Sequence, residues 1–341
     1  MKLFAVLNWD KLSQQRSWLF SISIILIIFS HFSDDISDCE NINFLFGTFA
    51  HCYNGLIGSV GVDIFCLLSG IGLYFSYSRN HNTLDFYKRR FSRLLIAYIP
   101  IAGIFWIIKD FLVQNNSFST FIADFSVLSF WTEGKRSVWF MSYIALMYLC
   151  FPLIFALLKG DRIHCEIKVL LLFCLLCALL LFMHYGDYAF YINTEVALWR
   201  VLPFVLGVYL GAIIFNKWEL NISPFFIILF GIVLKLVFIV VTLSGYAVLP
   251  ARLVSCFWAI SLSYLFSFIF ERVRSIWLIT ANNMLSVMTL ELYLLHVCLR
   301  SLLRDLNIPT HNVFVFVGYV TLSLFLSLIC IKIKRRYECS R

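Results

Sequence analysis

Uninterrupted apolar runs, each near the roughly 20 residues that a helix needs to cross a bilayer, recur along the whole sequence. They constrain this chain more than any other feature. Ten stand out, at residues 18–32, 56–77, 94–108, 138–158, 167–185, 197–215, 224–243, 251–270, 285–303 and 313–333. The runs are continuous and do not alternate polar with apolar, which excludes a transmembrane β-barrel. With no water in the hydrocarbon layer to satisfy free peptide groups, a helix bundle is the remaining solution. The expected fold class is therefore all-α, a polytopic membrane bundle of ten transmembrane helices. A weaker apolar segment at 44–53 is expected to be interfacial or re-entrant. Composition closes off the soluble alternative. Charged residues make up 13% of the chain, about half of what a soluble domain carries on its surface.

The basic residues give a direction. With the N-terminus placed in the cytoplasm, nineteen of the 27 Lys and Arg residues fall in segments on that side, against four (Lys109, Lys135, Arg136 and Arg304) on the other. That is the asymmetry of the positive-inside rule, and it puts both termini in the cytoplasm. The net charge of +8 then follows from topology, and no nucleic-acid partner is expected. The first 17 residues lack the apolar core and small-residue site of a cleavable signal. No Gly-, Ser- or Pro-rich linker interrupts the runs. Residues 1–341 are expected to form a single integral membrane domain with no appended soluble domain.

Ionisable side chains inside such a bundle are costly unless paired or lining a cavity, which makes them functional candidates. His31 closes the first run in LIIFSHFSDD. A neutral imidazole there suits a general base toward a hydroxyl, with Asp35 one turn on to orient its ring. The alternative is a histidine that closes a helix at the interface. Arg16 precedes the same run. Fifteen helical steps would hold it about 22 Å from His31, so it is either a cytoplasmic anchor or part of a separate site. Asp63, in GVDIFCLLSG, must find a partner, and Ser69 is a weak nucleophile candidate with no base nearby. Lys88, Arg89, Arg90 and Arg93 crowd the cytoplasmic mouth of the third run. Arg90 and Arg93 share one helix face. Paired guanidiniums suit a phosphate, or a lipid headgroup. In LELYLLHVCLR, Glu291 and His296 lie about 140° apart around a helix and form no dyad, whereas His296 and Arg300 share a face. Arg200, before a Gly207/Gly211 packing motif, and Lys235 lie within or beside spans without an assignable partner. Cys174 and Cys177 form a CxxC inside LLFCLLCALLL and are expected to be apolar fillers. Cys39 and Cys52 could both face the oxidising side.

Taken together these segments resemble the acyltransferase-3 family of integral membrane O-acyltransferases, which acylate bacterial surface sugars and related acceptors. The resemblance rests on Arg16 ahead of a span ending in His31, then GVDIFCLLSGIGLYFS (61–76), then FYKRRFSRLLIAYIP (86–100). Weaker echoes occur at 138–154, 199–211 and in LELYLLH (290–296). Fourteen residues separate Arg16 from His31, more than is usual in the family. The resemblance implies an acyl donor, usually acetyl-CoA, taken from the cytoplasm, and a glycan or lipid-linked sugar acceptor beyond the bilayer of a bacterial inner membrane. It implies that His31 is catalytic, that Arg90 and Arg93 are the RxxR pair handling CoA with help from Arg89, and that Arg16 is the arginine preceding the histidine. Asp63 and Glu291 would tune the site. The pantetheine arm would thread a polar channel, and no metal is required.

A transporter or flippase for a glycolipid or small anion would also fit many spans with embedded Arg200, Lys235 and Glu291. The RxxR cluster combined with His31 distinguishes the two, because transport needs neither. An inverted repeat would favour transport, and none is visible in the sequence.

Overall fold

The computed structural model describes residues 9–39, 44–58, 60–219, 222–243 and 249–339. Among these residues every regular element is a helix. In order they are α1 (Asp10–Gln14), α2 (Arg16–Ser37), α3 (Phe44–Leu56), α4 (Val60–Arg79), α5 (Thr83–Trp106), α6 (Phe118–Phe125), α7 (Leu128–Glu133), α8 (Trp139–Leu158), α9 (Arg162–Gly186), α10 (Tyr188–Leu198), α11 (Val201–Asn216), α12 (Pro224–Leu243), α13 (Leu249–Phe270), α14 (Ile276–Val287), α15 (Thr289–Asp305) and α16 (Val313–Cys339). A π-helical turn, Ile107–Val113, extends α5. Local chemistry sets several starts. The side chains of Asn82, Ser117 and Asp187 accept from the backbone N–H of Asp85, Thr120 and Phe190 and cap α5, α6 and α10, satisfying amides that the helix leaves unpaired.

Eight helical segments of the described residues are long and apolar enough to cross a membrane, and a ninth arises if α14 and α15, bent by 70° at their junction, form one broken span. Ten were expected. The difference lies in two places. The expected span 285–303 straddles the α14–α15 break, and the expected span 224–243 is the apolar helix α12, of which Phe225–Val240 is the stretch counted among the described residues. The weak segment 44–53 becomes α3, which lies along α2 through bonds from Ser33 Oγ to the Ala50 carbonyl (2.9 Å) and from Tyr53 Oη to the Leu26 carbonyl (3.0 Å).

Burial sorts the helices into an inner and an outer set. α2, α4 and α11 bury most of their length. α9 and α16 bury little and expose large apolar side chains such as Leu175 (65%) and Phe182 (73%). Water would not tolerate such a rim, whereas lipid does. Cys174 is exposed and Cys177 half-buried on α9. Cys39 and Cys52 are both free thiols.

The tightest inner contact is α4 against α11, and small residues make it. A Cβ on Gly207 would collide with the backbone of Leu67, and one on Gly70 would lie 2.7 Å from the Val208 nitrogen. Backbones approach this closely only across glycine. Gly207→Leu is therefore expected to lower the melting temperature of the detergent-solubilised protein, since overpacking costs about 1–3 kcal/mol or more. An unchanged melting temperature would show that α4 and α11 do not meet at Gly207.

Candidate functional site

The site has two ends that share four helices. At one end α2 and α15 are joined by two rungs, one helical turn apart on each helix. The first is a histidine pair, in which Nδ1 of His31 lies 2.8 Å from Nε2 of His296. The rings are 5.0 Å apart at 27°. Nδ1 of His296 is in turn 3.2 Å from the Leu292 carbonyl oxygen. The second rung is ionic: Arg300 grips Asp35 with two bonds, at 2.9 and 2.7 Å, and Arg304 adds longer contacts to Asp35 and Asp38, each 3.4 Å. Asp35 was expected to orient His31. It does not, because the neighbouring guanidinium offers the carboxylate a two-pronged charge-assisted pair that a neutral imidazole cannot match. His296 takes that place. The sequence placed His296 and Arg300 on one face but gave no sign of their partners.

His31 opens onto two adjoining cavities of about 410 and 260 Å³. Both are also lined by Arg136, Trp139 and Arg300. Arg200 and Asp34 line the larger one. Asp63 is buried on α4, 3.6 Å from Arg200, and the Arg200 guanidinium sits 4.9 Å over the Trp139 ring. Asp63 thus finds the partner that its burial demands, and its influence on this end runs through Arg200.

At the other end, Arg16 at the start of α2 meets Arg90 and Arg93 of α5 around a cavity of about 110 Å³, together with Ser69, Tyr148, Ser286 and Thr289. Among the described residues no carboxylate pairs with any of the three arginines, in contrast to Arg136, Arg200, Arg300 and Arg304. Nε of Arg16 and of Arg90 are buried without a hydrogen-bond partner. The Arg16 guanidinium fills the space over Gly72, where any Cβ would overlap it, and lies 5.2 Å from the Phe20 ring. Three mutually repelling cations, two of them with an unsatisfied buried donor, have the chemistry that suits a polyanion. Arg16, which spacing alone left between anchor and site, belongs to this cluster. Ser69 lines it too, with Oγ bonded to the Phe65 carbonyl at 2.8 Å, far from the histidines.

Arg89 lines a neighbouring cavity of about 420 Å³, which also takes in Arg93, Glu291 and Lys334. Glu291 lies 3.8 Å from Lys334, so the structure brings it to the arginine end and not to His31. Lys235 is buried on α12, with its ammonium 5.5 Å from the Phe238 ring.

α2, α4, α8 and α15 each supply side chains to both ends. On α8 the change occurs between adjacent residues, Trp139 facing the histidine cavities and Phe140 the arginine cavity. Phe65 and Phe140 line the arginine cavity and Tyr293 the smaller histidine cavity, with ring separations of 5.7 and 5.4 Å along the row.

A family model for the acyltransferase-3 domain, described as an acyltransferase domain, matches residues 19–332. The matched stretch holds the histidine pair, Asp63, Arg89, Arg90, Arg93 and Glu291, while Arg16 lies three residues before it. Comparison with curated proteins and with solved structures gave no match.

Proposed function

The chain belongs to the acyltransferase-3 family, and from that premise we propose that it moves an acetyl group from cytoplasmic acetyl-CoA to a hydroxyl of a cell-surface or lipid-linked glycan. An acyltransferase must bring a donor and an acceptor to one reactive group. The observation that carries the reading is the division of labour along helices that reach both ends: three arginines without carboxylates at one end, and His31, backed by the buried His296, beside open cavities at the other. The CoA phosphates would dock among Arg16, Arg90 and Arg93, with Arg89 beside them. The thioester arm would pass along the Phe65–Phe140–Tyr293 row toward His31. There a sugar hydroxyl gives its proton to His31 as its oxygen attacks the thioester carbonyl. The tetrahedral intermediate collapses, the C–S bond breaks, and the imidazolium returns the proton to the departing thiolate. Trp139 and the mixed donors and acceptors of the larger cavity suit a sugar, with apolar faces and hydroxyl rims. On this reading the arginine end faces the cytoplasm of a bacterial inner membrane.

The test uses membrane vesicles from the host, prepared in both orientations and supplied with radiolabelled acetyl-CoA. Label is expected to enter glycan only in vesicles whose cytoplasmic face is outside, and to be absent when the gene is deleted. A deletion that leaves every acyl group in place but stops export of a glycan would overturn the proposal in favour of transport.

A further inference from the structure

We propose that His296 is the positioning residue of the reaction: it holds His31 in the one tautomer whose Nε2 is free to accept a proton. The inference rests on the acyl-transfer reading for its function, but its content is a hydrogen-bond chain that is measurable without activity. The chain runs from a backbone carbonyl. The Leu292 oxygen can only accept, so Nδ1 of His296, 3.2 Å away, carries the hydrogen. A neutral imidazole has one N–H, which leaves Nε2 of His296 with a lone pair. Nδ1 of His31, 2.8 Å from that lone pair, must then donate. The ring nitrogen left without hydrogen is Nε2 of His31. Two bonds fix both tautomers, and the anchor is a peptide group that cannot reorient.

The choice of partner has a chemical consequence. A carboxylate in this position would align the ring and stabilise the imidazolium as an ion pair. Asp35, one turn on along the same helix, is drawn off by Arg300 at 2.7 and 2.9 Å. A neutral histidine aligns the ring and shares the charge through one hydrogen bond, so the proton taken from the hydroxyl remains available to the leaving thiolate. The two rungs therefore depend on each other: Arg300 occupies Asp35, and His296 orients His31. His296 is wholly buried, so no bulk water substitutes for its lone pair.

The experiment has two arms on the full-length protein in lipid nanodiscs. Nitrogen NMR of histidine-labelled protein, with the His31 signals assigned by their loss in His31→Asn, reads the tautomer directly. Wild type is expected to show His31 protonated at Nδ1, and His296→Phe a mixture of tautomers. The second arm measures transfer from radiolabelled acetyl-CoA in membranes. His296→Phe, which keeps the volume and removes the acceptor, is expected to lower turnover at least about tenfold with little change in the KM for acetyl-CoA. His296→Gln, whose amide oxygen replaces the lone pair, is expected to stay within about threefold of wild type. A wild-type His31 protonated at Nε2 overturns the proposal, even if every variant fails to fold. So does a fully active His296→Phe, or a His296→Gln no better than the Phe variant. Should His31→Ala also transfer normally, the acyl-transfer reading fails, and the spectrum still decides the tautomer.

Discussion

His31→Ala, present in the membrane at the wild-type level, is expected to reduce glycan O-acetyl content to that of a strain lacking the gene. General-base catalysis by a positioned side chain supplies about 10²–10⁴-fold in rate, and among the described residues lining the two cavities beside His31 no second histidine replaces it. His296 cannot take over, because it is wholly buried and its Nδ1 is bound to the Leu292 carbonyl. Asp34 lines the larger cavity but is bonded to the Asn54 amide at 3.3 Å, while Asp35 is held by Arg300. His31→Asn serves as the companion variant, since it keeps a polar group of similar reach and removes the base. Both variants are expected to lose turnover and to retain binding of acetyl-CoA, whose phosphates would sit at the far end of α2, about 22 Å away by helix geometry. Full O-acetylation by either variant, at normal protein level, would remove His31 from the mechanism. A loss of protein from the membrane would instead indicate that the α2–α15 rungs are structural, and the His31→Asn variant separates the two because it preserves packing better than alanine.

What the sequence disclosed about the site follows the range over which sequence patterns act. Features confined to one helix were legible. The shared face of Arg90 and Arg93, the shared face of His296 and Arg300, the Gly207/Gly211 packing motif, and the gap along α2 that keeps Arg16 away from His31 all follow from helix geometry alone. Pairings between helices were not. Asp35 was assigned to His31 because it is one turn away on the same helix, yet its partner is Arg300, 265 positions later. The partner of His31 is equally remote. Asp63 and Glu291 were recognised as carboxylates that need company, but nothing local points to Arg200 or Lys334. The bend in the expected span 285–303 was hidden for a related reason. The break between α14 and α15 falls in LSVMTL, which has neither Pro nor Gly, so hydropathy reads through a 70° bend. Conversely, Gly72 gave only a general packing signal, and its specific task of making room for the Arg16 guanidinium depends on how α2 crosses α4.

The double variant Arg90→Gln/Arg93→Gln is expected to raise the KM for acetyl-CoA by at least about a hundredfold, since hydrogen bonds to a charged partner contribute about 1.5–3 kcal/mol each. The effect should appear as lost donor affinity with a smaller change in turnover at saturating donor, because the arginines bind the part of the donor that does not react. Arg90→Lys is a sharper probe than charge removal. It keeps the positive charge and loses the planar fork, so a substantial rise in KM would show that geometry and not net charge holds the phosphates. Arg89→Gln gives the local comparison, as Arg89 lines the adjoining cavity and should change KM less. Gly72→Ala approaches the same site from the opposite wall. The new methyl group must displace the Arg16 guanidinium, so KM is expected to rise without any arginine having been altered. Membrane anchors would behave differently from a donor site. If these arginines only fix topology, the double variant will insert poorly or in the wrong orientation, and the correctly inserted fraction will show a wild-type KM. That outcome, in vesicles whose orientation is verified by protease access to the C-terminus, would separate the basic cluster from the chemistry and leave the three carboxylate-free guanidiniums without a ligand.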